Sequence, residues 1–167
     1  MKKQAFIAVV LLILLSLSGP FSLPIPNTSV DISFQSLLVL LPAFLLPTTW
    51  SLAVVLAYFV LGSLGLPVFS GSASGVDTLL GSSLGFFMGF ALANYGLSQF
   101  NALNIKTFKE SALYLILAQL FLLLFGFGYL AYIQSDASIL KEAIYFLPGA
   151  AFKTMVGAGF IFYWNKL

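Results

Sequence analysis

Long apolar stretches, separated by short polar or proline-containing breaks, run through most of this 167-residue chain. The runs are continuous and do not alternate with the two-residue period of a half-buried strand, so they predict helices. The first, Ala5 to Leu17, follows Met1-Lys2-Lys3 and leads into Ser16, Ser18 and Gly19. That is the shape of a signal peptide, but more membrane-type sequence follows, which favours an uncleaved first helix. Pro20, Pro24 and Pro26 predict an extended crossing segment, because proline lacks an N–H and restricts its predecessor. A second helix is expected from about Ser33 to Leu46, kinked at Pro42, and Pro47-Thr48-Thr49 reads as a tight turn. The third runs from about Trp50 to Leu64, with Trp50 at the membrane interface. The fourth covers about Ser83 to Phe100, the fifth Glu110 to Tyr132, and the sixth Ile139 to Trp164, interrupted at Pro148-Gly149. Polar loops occupy Asn101 to Lys109 and Gln134 to Asp136.

One stretch breaks this rhythm. Gly62 to Phe90 is rich in Gly and Ser, is walled by apolar sequence, and carries one acid and no base. It reads as backbone folded back into a protected cavity, with the rest of the chain as its walls.

Composition turns the helices into membrane spans. The chain is 60% hydrophobic and 7% charged, against about 25% charged in a soluble domain, and its mean hydropathy is +1.06. A span needs about 20 residues, so the chain has room for roughly six and for one domain over 1–167. Lysine placement orients them. With six spans and both termini cytoplasmic, Lys2, Lys3, Lys106, Lys109 and Lys166 lie inside and only Lys141 outside, together with Asp31, Asp77 and Asp136. The expected fold is therefore an all-α, multi-pass protein of the plasma membrane, with the Gly-rich stretch on the outer side.

Two absences narrow the chemistry. There is no cysteine and no histidine, which removes disulfides, thiolate chemistry and most metal sites and proton shuttles. The basic residues do not cluster, so nothing points to nucleic acid. No phosphate-binding loop or catalytic dyad is present, and neither enzyme activity, a cofactor nor a metal is expected.

Lys153 is the most informative residue. It lies in A-A-F-K-T-M-V-G-A-G-F, thirteen positions before Lys166, or about 20 Å at the helical rise. An unpaired lysine at such depth costs roughly 2.5–3.5 kcal/mol; an anionic ligand would offset it, and the alternatives are snorkelling or pairing with Asp77 or Glu142. A helix restarting at Pro148-Gly149 would add inward-facing N–H groups; the dipeptide alone points rather to a simple packing kink, and Lys153 close by shifts the balance towards an anion site. Gly85 and Gly89, four apart, predict close approach of a neighbouring helix. Ser82 and Ser83 are natural helix caps and alternative ligand donors. Phe69 and Phe86 flank the Gly-rich turn as candidates for stacking on a ligand. Gln35 is a polar side chain at an outer helix end, counted as a candidate contact, with exposure to headgroups as the alternative. Asn94, Gln119 and Tyr129 read as interhelical glue.

Three segments resemble the BioY family, the substrate-binding (S) components of energy-coupling-factor (ECF) biotin transporters. G-S-L-G-L-P-V-F-S-G-S-A-S-G followed by L-L-G-S-S-L-G-F-F-M-G-F is similar to the family's G-x-x-G-L-P-V-F-x-G-G-x-G-G and L-x-G-P-T-G-G-Y-x-x-G-F. P-I-P-N-T-S-V-D-I-S-F-Q-S-L resembles its proline-rich segment leading into V-P-x-T-x-Q-T-L, and F-L-P-G-A-A-F-K its P-F-L-P-G-D-x-x-K. The segments occur in the family's order from about Pro24 to Lys153. Several positions depart from it: Ala150 replaces the acid, Gly71-Ser72-Ala73-Ser74-Gly75 replaces G-G-x-G-G, and Gly81 to Phe86 replaces G-P-T-G-G-Y. The A-x-x-x-A spacing of the first helix, used against the coupling subunit, is missing, since Ala5 and Ala8 are three apart. The lost acid removes an acceptor for ureido N–H groups, with Asp77 or the serines as replacements.

The resemblance implies uptake of biotin, or a related small carboxylate vitamin, powered by partners: a transmembrane coupling subunit and two ATPase subunits. Lys153 would meet the carboxylate or a polar edge of the ligand. Gly71, Ala73, Gly75 and Ser83 would line the pocket, Phe69 and Phe86 would cover it, and Gln35 completes the set. The alternatives are an S component for a different ligand, or a non-transporting membrane scaffold with a degenerate pocket.

Overall fold

The computed structural model describes residues 2–23, 32–100, 105, 107–135 and 139–166. Helix α1 (Lys2–Leu17) leads to a two-residue antiparallel rung, in which β1 (Ser22–Leu23) pairs with β2 (Ile32–Ser33). The short helices α2 (Gln35–Leu38) and α3 (Leu41–Leu45) follow, then α4 (Thr48–Ser63), a 3-10 turn at Ser70–Ser72, and the short α5 (Val76–Leu80). Three long helices complete the chain: α6 (Leu84–Gln99), α7 (Phe108–Gln134) and α8 (Ile139–Trp164). Apart from the rung, the regular structure of the described residues is helical, as the apolar runs predict. The crossing segment expected around Pro24 and Pro26 lies outside the described residues.

Helix α7 packs along α6 on one side and α8 on the other, while α1 packs on α4. The two longest apolar stretches, Phe108–Gln134 and Glu142–Trp164, have the length and hydropathy to cross a bilayer. Large apolar side chains such as Phe6, Leu124 and Met155 point outward and are exposed, an arrangement that suits hydrocarbon better than water.

The local sequence explains the boundaries. Helix α7 begins with a capping box: Thr107 Oγ1 accepts from the Glu110 N–H, and the Glu110 carboxylate accepts from the Thr107 N–H, both at 3.2 Å. The expected start at Glu110 was therefore two residues late. Around Pro42 the kink becomes a break between α2 and α3, because proline cannot donate to the carbonyl one turn earlier. Asn94 repairs part of the damage, donating to the Val39 carbonyl at 2.8 Å while accepting from Ser51 Oγ at 2.8 Å. It is interhelical glue with a definite task, tying α6 to α4 and to the broken segment.

Two expectations fail. Helix α8 continues through Pro148, so no helix restarts there and no set of free N–H groups faces inward. A single proline removes one backbone bond and leaves the remaining ladder intact, and in an apolar medium that ladder is worth keeping. Ser83 sits at the N-cap of α6 in αR geometry, and its side chain caps nothing. Gly85 and Gly89 do permit close approach: a Cβ on Gly85 would lie 2.5 Å from the Phe125 carbonyl oxygen, and one on Gly89 3.2 Å from the Leu122 side chain.

Replacing Asn94 with Leu leaves a buried carbonyl without its donor, so it is expected to destabilise the protein by about 1–3 kcal/mol. Ser51→Ala is expected to cost less, since the Asn94–Val39 bond survives. Thermal unfolding in detergent, followed by circular dichroism, measures both.

Candidate ligand-binding cavity

A cavity of about 160 Å³ lies between the Gly-rich loop, α2 and the facing sides of α6, α7 and α8. Its wall is built from Ser33, Gln35 and Ser36 at the start of α2, and Phe69, Ser70 and Ala73 from the loop. Thr78, Ser83, Phe86, Phe87 and Phe90 continue it through α5 and α6. Gln119, Leu122 and Leu123 come from α7, and Phe146, Ala150 and Lys153 from α8. It is larger than one water requires, about 10–15 Å³, and it combines aromatic cover with a limited set of polar groups, the usual make-up of a small-molecule site.

The loop is held inside the protein by its backbone. Gln35 is 4% exposed; its Nε2 donates to the Val68 carbonyl at 2.6 Å and to the Tyr58 hydroxyl at 2.8 Å. This corrects the headgroup-facing alternative for Gln35, whose side chain is consumed by the interior. Two glycines make the approach possible. A Cβ on Gly19 would stand 2.0 Å from the Val68 carbonyl oxygen, and one on Gly62 would stand 2.1 Å from the Phe69 ring. Phe69 is thereby pressed against Tyr58 and Phe87, with ring centroids at 5.5 and 4.7 Å.

Gly71 and Gly75 do not line the cavity, contrary to expectation. Both have positive φ, +67° and +93°, and they shape the turn instead. The Gly71 N–H points to the Gly19 carbonyl and Ser22 Oγ, each at 3.1 Å, and the Gly75 N–H bonds the Gly62 carbonyl at 2.8 Å. Ala73, between them, does face the cavity.

Lys153 is the sole charged group among the described lining residues. It is 7% exposed, and its Nζ donates to Ser36 Oγ at 2.7 Å and to the Ser33 carbonyl at 3.3 Å. Among the described residues it bonds neither Asp77 nor Glu142, and it does not snorkel to the surface. Asp77 is exposed in the first turn of α5 and lines nothing here, so it does not replace the acid missing at Ala150. Two neutral oxygens leave one of the three ammonium N–H groups without a partner among the described residues.

Gln119 does double duty. It is 3% exposed, and its Nε2 donates to Thr154 Oγ1 at 2.7 Å and to the Ala150 carbonyl at 3.3 Å. It is interhelical glue, as expected, and also part of the cavity wall. The structure therefore gathers Lys153, Gln35, Ser83, Phe69, Phe86 and Ala73, and leaves out Gly71 and Gly75. Sequence reasoning missed Ser33, Ser36, Ser70 and Thr78. Ser33 and Ser36 were findable, since they flank Gln35 within S-F-Q-S-L. Ser70 Oγ is buried at the wall without a hydrogen-bond partner among the described residues.

Taken together, the described residues form a helical fold with two stretches long and apolar enough to cross a bilayer, around a mostly apolar cavity with one buried cation in its wall. A model of the BioY family matches residues 1–167, and the chain belongs to that family. It is similar to the biotin transporter BioY2 of Lactococcus lactis, 36% identical over 90 residues, which are 52% of this chain and 50% of that protein. It is also similar to the probable biotin transporter BioY of Rickettsia prowazekii, 27% identical over 137 residues, or 79% of this chain and 69% of the relative. The matched segment thus spans about half the length of the Lactococcus relative. The fold is that of a solved S-component for biotin from an ECF-type ABC transporter, with a TM-score of 0.83 at 21% identity, covering 99% of this chain and 90% of that one.

Gly62→Ala is expected to lower stability by about 1–3 kcal/mol, because the new methyl overlaps the Phe69 ring and forces the wall to move. Gly96→Ala, on an open face of α6 with nothing near the new Cβ, is expected to be neutral or stabilising by up to about 1 kcal/mol. Comparing the two unfolding midpoints separates the steric effect from glycine replacement as such.

Proposed function

We propose that this protein is the membrane-embedded S component of an ECF-type transporter and takes up biotin. Membership of the BioY family supports the reading, and the single observation that carries it is a mostly apolar cavity with one buried cation and no lining carboxylate among the described residues. Lys153 meets the carboxylate or another polar edge of the ligand. Ser83, Gln35 and Ala73 line the site, and Phe69 and Phe86 give apolar cover. The protein works as a carrier rather than an enzyme. A transmembrane coupling subunit and two ATPase subunits supply the energy.

The single domain, 1–167, crosses the plasma membrane six times: α1, the α2–α3 pair, α4, α6, α7 and α8, with both termini in the cytoplasm. The distribution of lysines between the two sides supports this orientation. One observation favours a second reading, an S component for a different small ligand. Ala150 lines the cavity where the family pattern carries an acid, so an acceptor is absent from that point of the wall.

Purified protein is expected to bind labelled biotin saturably, and Lys153→Met to weaken it by roughly 10- to 100-fold, the loss of one charge-assisted hydrogen bond. Absence of saturable binding by the unmodified protein overturns the biotin reading. Equal affinity of the two proteins removes Lys153 from the site.

Because the chain has no cysteine, orientation can be tested with single introduced thiols. Ser135→Cys is expected to react with a membrane-impermeant maleimide on intact cells, and Thr107→Cys only after lysis. The reverse pattern rules out cytoplasmic termini.

A further inference from the structure

Helix α7 passes the cavity at Gln119, and the orientation of this side chain is settled by its neighbours. Its Nε2 donates to Thr154 Oγ1 at 2.7 Å and to the Ala150 carbonyl at 3.3 Å, both on α8. With its N–H groups committed to α8, the carboxamide is left with its oxygen as the free acceptor of the group. Among the described residues no donor reaches Oε1, and Gln119 lines the cavity. The Ala150 methyl opposite is too short to fill the space or to compete for a ligand.

Gln35 repeats the pattern on another wall. Its Nε2 is consumed by the Val68 carbonyl and the Tyr58 hydroxyl, and again no described residue donates to the oxygen. The cavity thus combines one cation, hydroxyls of adaptable direction, and amide oxygens fixed as acceptors. A fixed acceptor discriminates better than a hydroxyl, because it cannot rotate to serve a ligand that lacks the donor.

We infer that Gln119 is a specificity-determining residue for the ligand: its Oε1 accepts a hydrogen bond from a ring N–H. Thr154 is a positioning residue, which holds the amide so that oxygen rather than nitrogen faces the cavity. The ligand class is a small apolar molecule bearing an acceptor or anionic group together with at least one N–H donor. A cyclic urea carrying an aliphatic acid meets these requirements, so the inference rests on the biotin reading and deepens it.

The test compares biotin with an analogue of the same shape in which both ureido N–H groups are replaced by ring oxygens. Equilibrium binding to detergent-purified full-length protein is measured for the unmodified chain, Gln119→Leu and Thr154→Val. The unmodified protein is expected to prefer biotin by about 10- to 100-fold. In both variants that preference shrinks to within about threefold, while affinity for the analogue changes little. A merely structural role weakens both ligands together and leaves the ratio where it was; an unchanged ratio in Gln119→Leu overturns the inference. If that variant does not purify as a folded protein, the ratio in Thr154→Val decides in the same way. Failure of the unmodified protein to bind biotin at all takes down the biotin reading and the inference with it, whereas binding with an unaltered ratio removes only the inference.

Discussion

The site depends on the hydrogen bonds by which Gln35 captures the Val68 carbonyl. An irregular loop inside an apolar protein carries backbone groups that lipid cannot satisfy, and each one left open costs several kcal/mol. Gln35 supplies the missing donor at 2.6 Å and braces it through Tyr58. Once that carbonyl is held, Phe69 has one place to go, against Gly62, Tyr58 and Phe87. The apolar wall is therefore a product of polar pairing. Gly19 and Gly62 are small because backbone and ring pass through the space a side chain would need.

The same economy of polar groups explains how a lysine survives at the bottom of the site. Ser36 Oγ and the Ser33 carbonyl give its ammonium two neutral acceptors, enough to seat it but not to neutralise it. A carboxylate there would make an internally closed ion pair, with less attraction left for a guest. On the proposed reading the ligand supplies the counter-charge, and the insertion cost of the lysine would become selectivity for an acceptor or an anion.

The sequence made the long helices legible because continuous apolar runs leave little choice of secondary structure. Helix α8 appears over Ile139–Trp164, the expected range. Lys153 stood out for a physical reason, the energy of a charge at depth. What stayed hidden was whatever depends on two distant segments meeting. The task of Gln35 is visible only when the loop lies 33 residues along beside it, and Gln119 looked like glue until a cavity appeared next to it. Pro148-Gly149 misled because the dipeptide suggests a break, while the surrounding helix tolerates one missing bond. Gly71 and Gly75 misled because a glycine that shapes a turn and a glycine that admits a ligand look alike in one dimension. The capping box at Thr107 was readable and went unread, since the apolar run drew the boundary inward.

The Gly71 N–H reaches the Gly19 carbonyl and Ser22 Oγ just past the end of α1, and Gly19 abuts the Val68 carbonyl. The end of the first helix and the loop that carries the aromatic wall are thus in direct contact, although no α1 residue lines the cavity. If these contacts couple the two, linkage makes the coupling reciprocal: a ligand that stiffened the wall would also restrict the tilt of the helix, and a neighbour leaning on the helix would alter the wall. In the proposed S component, α1 would in this way respond to occupancy of a site it does not line.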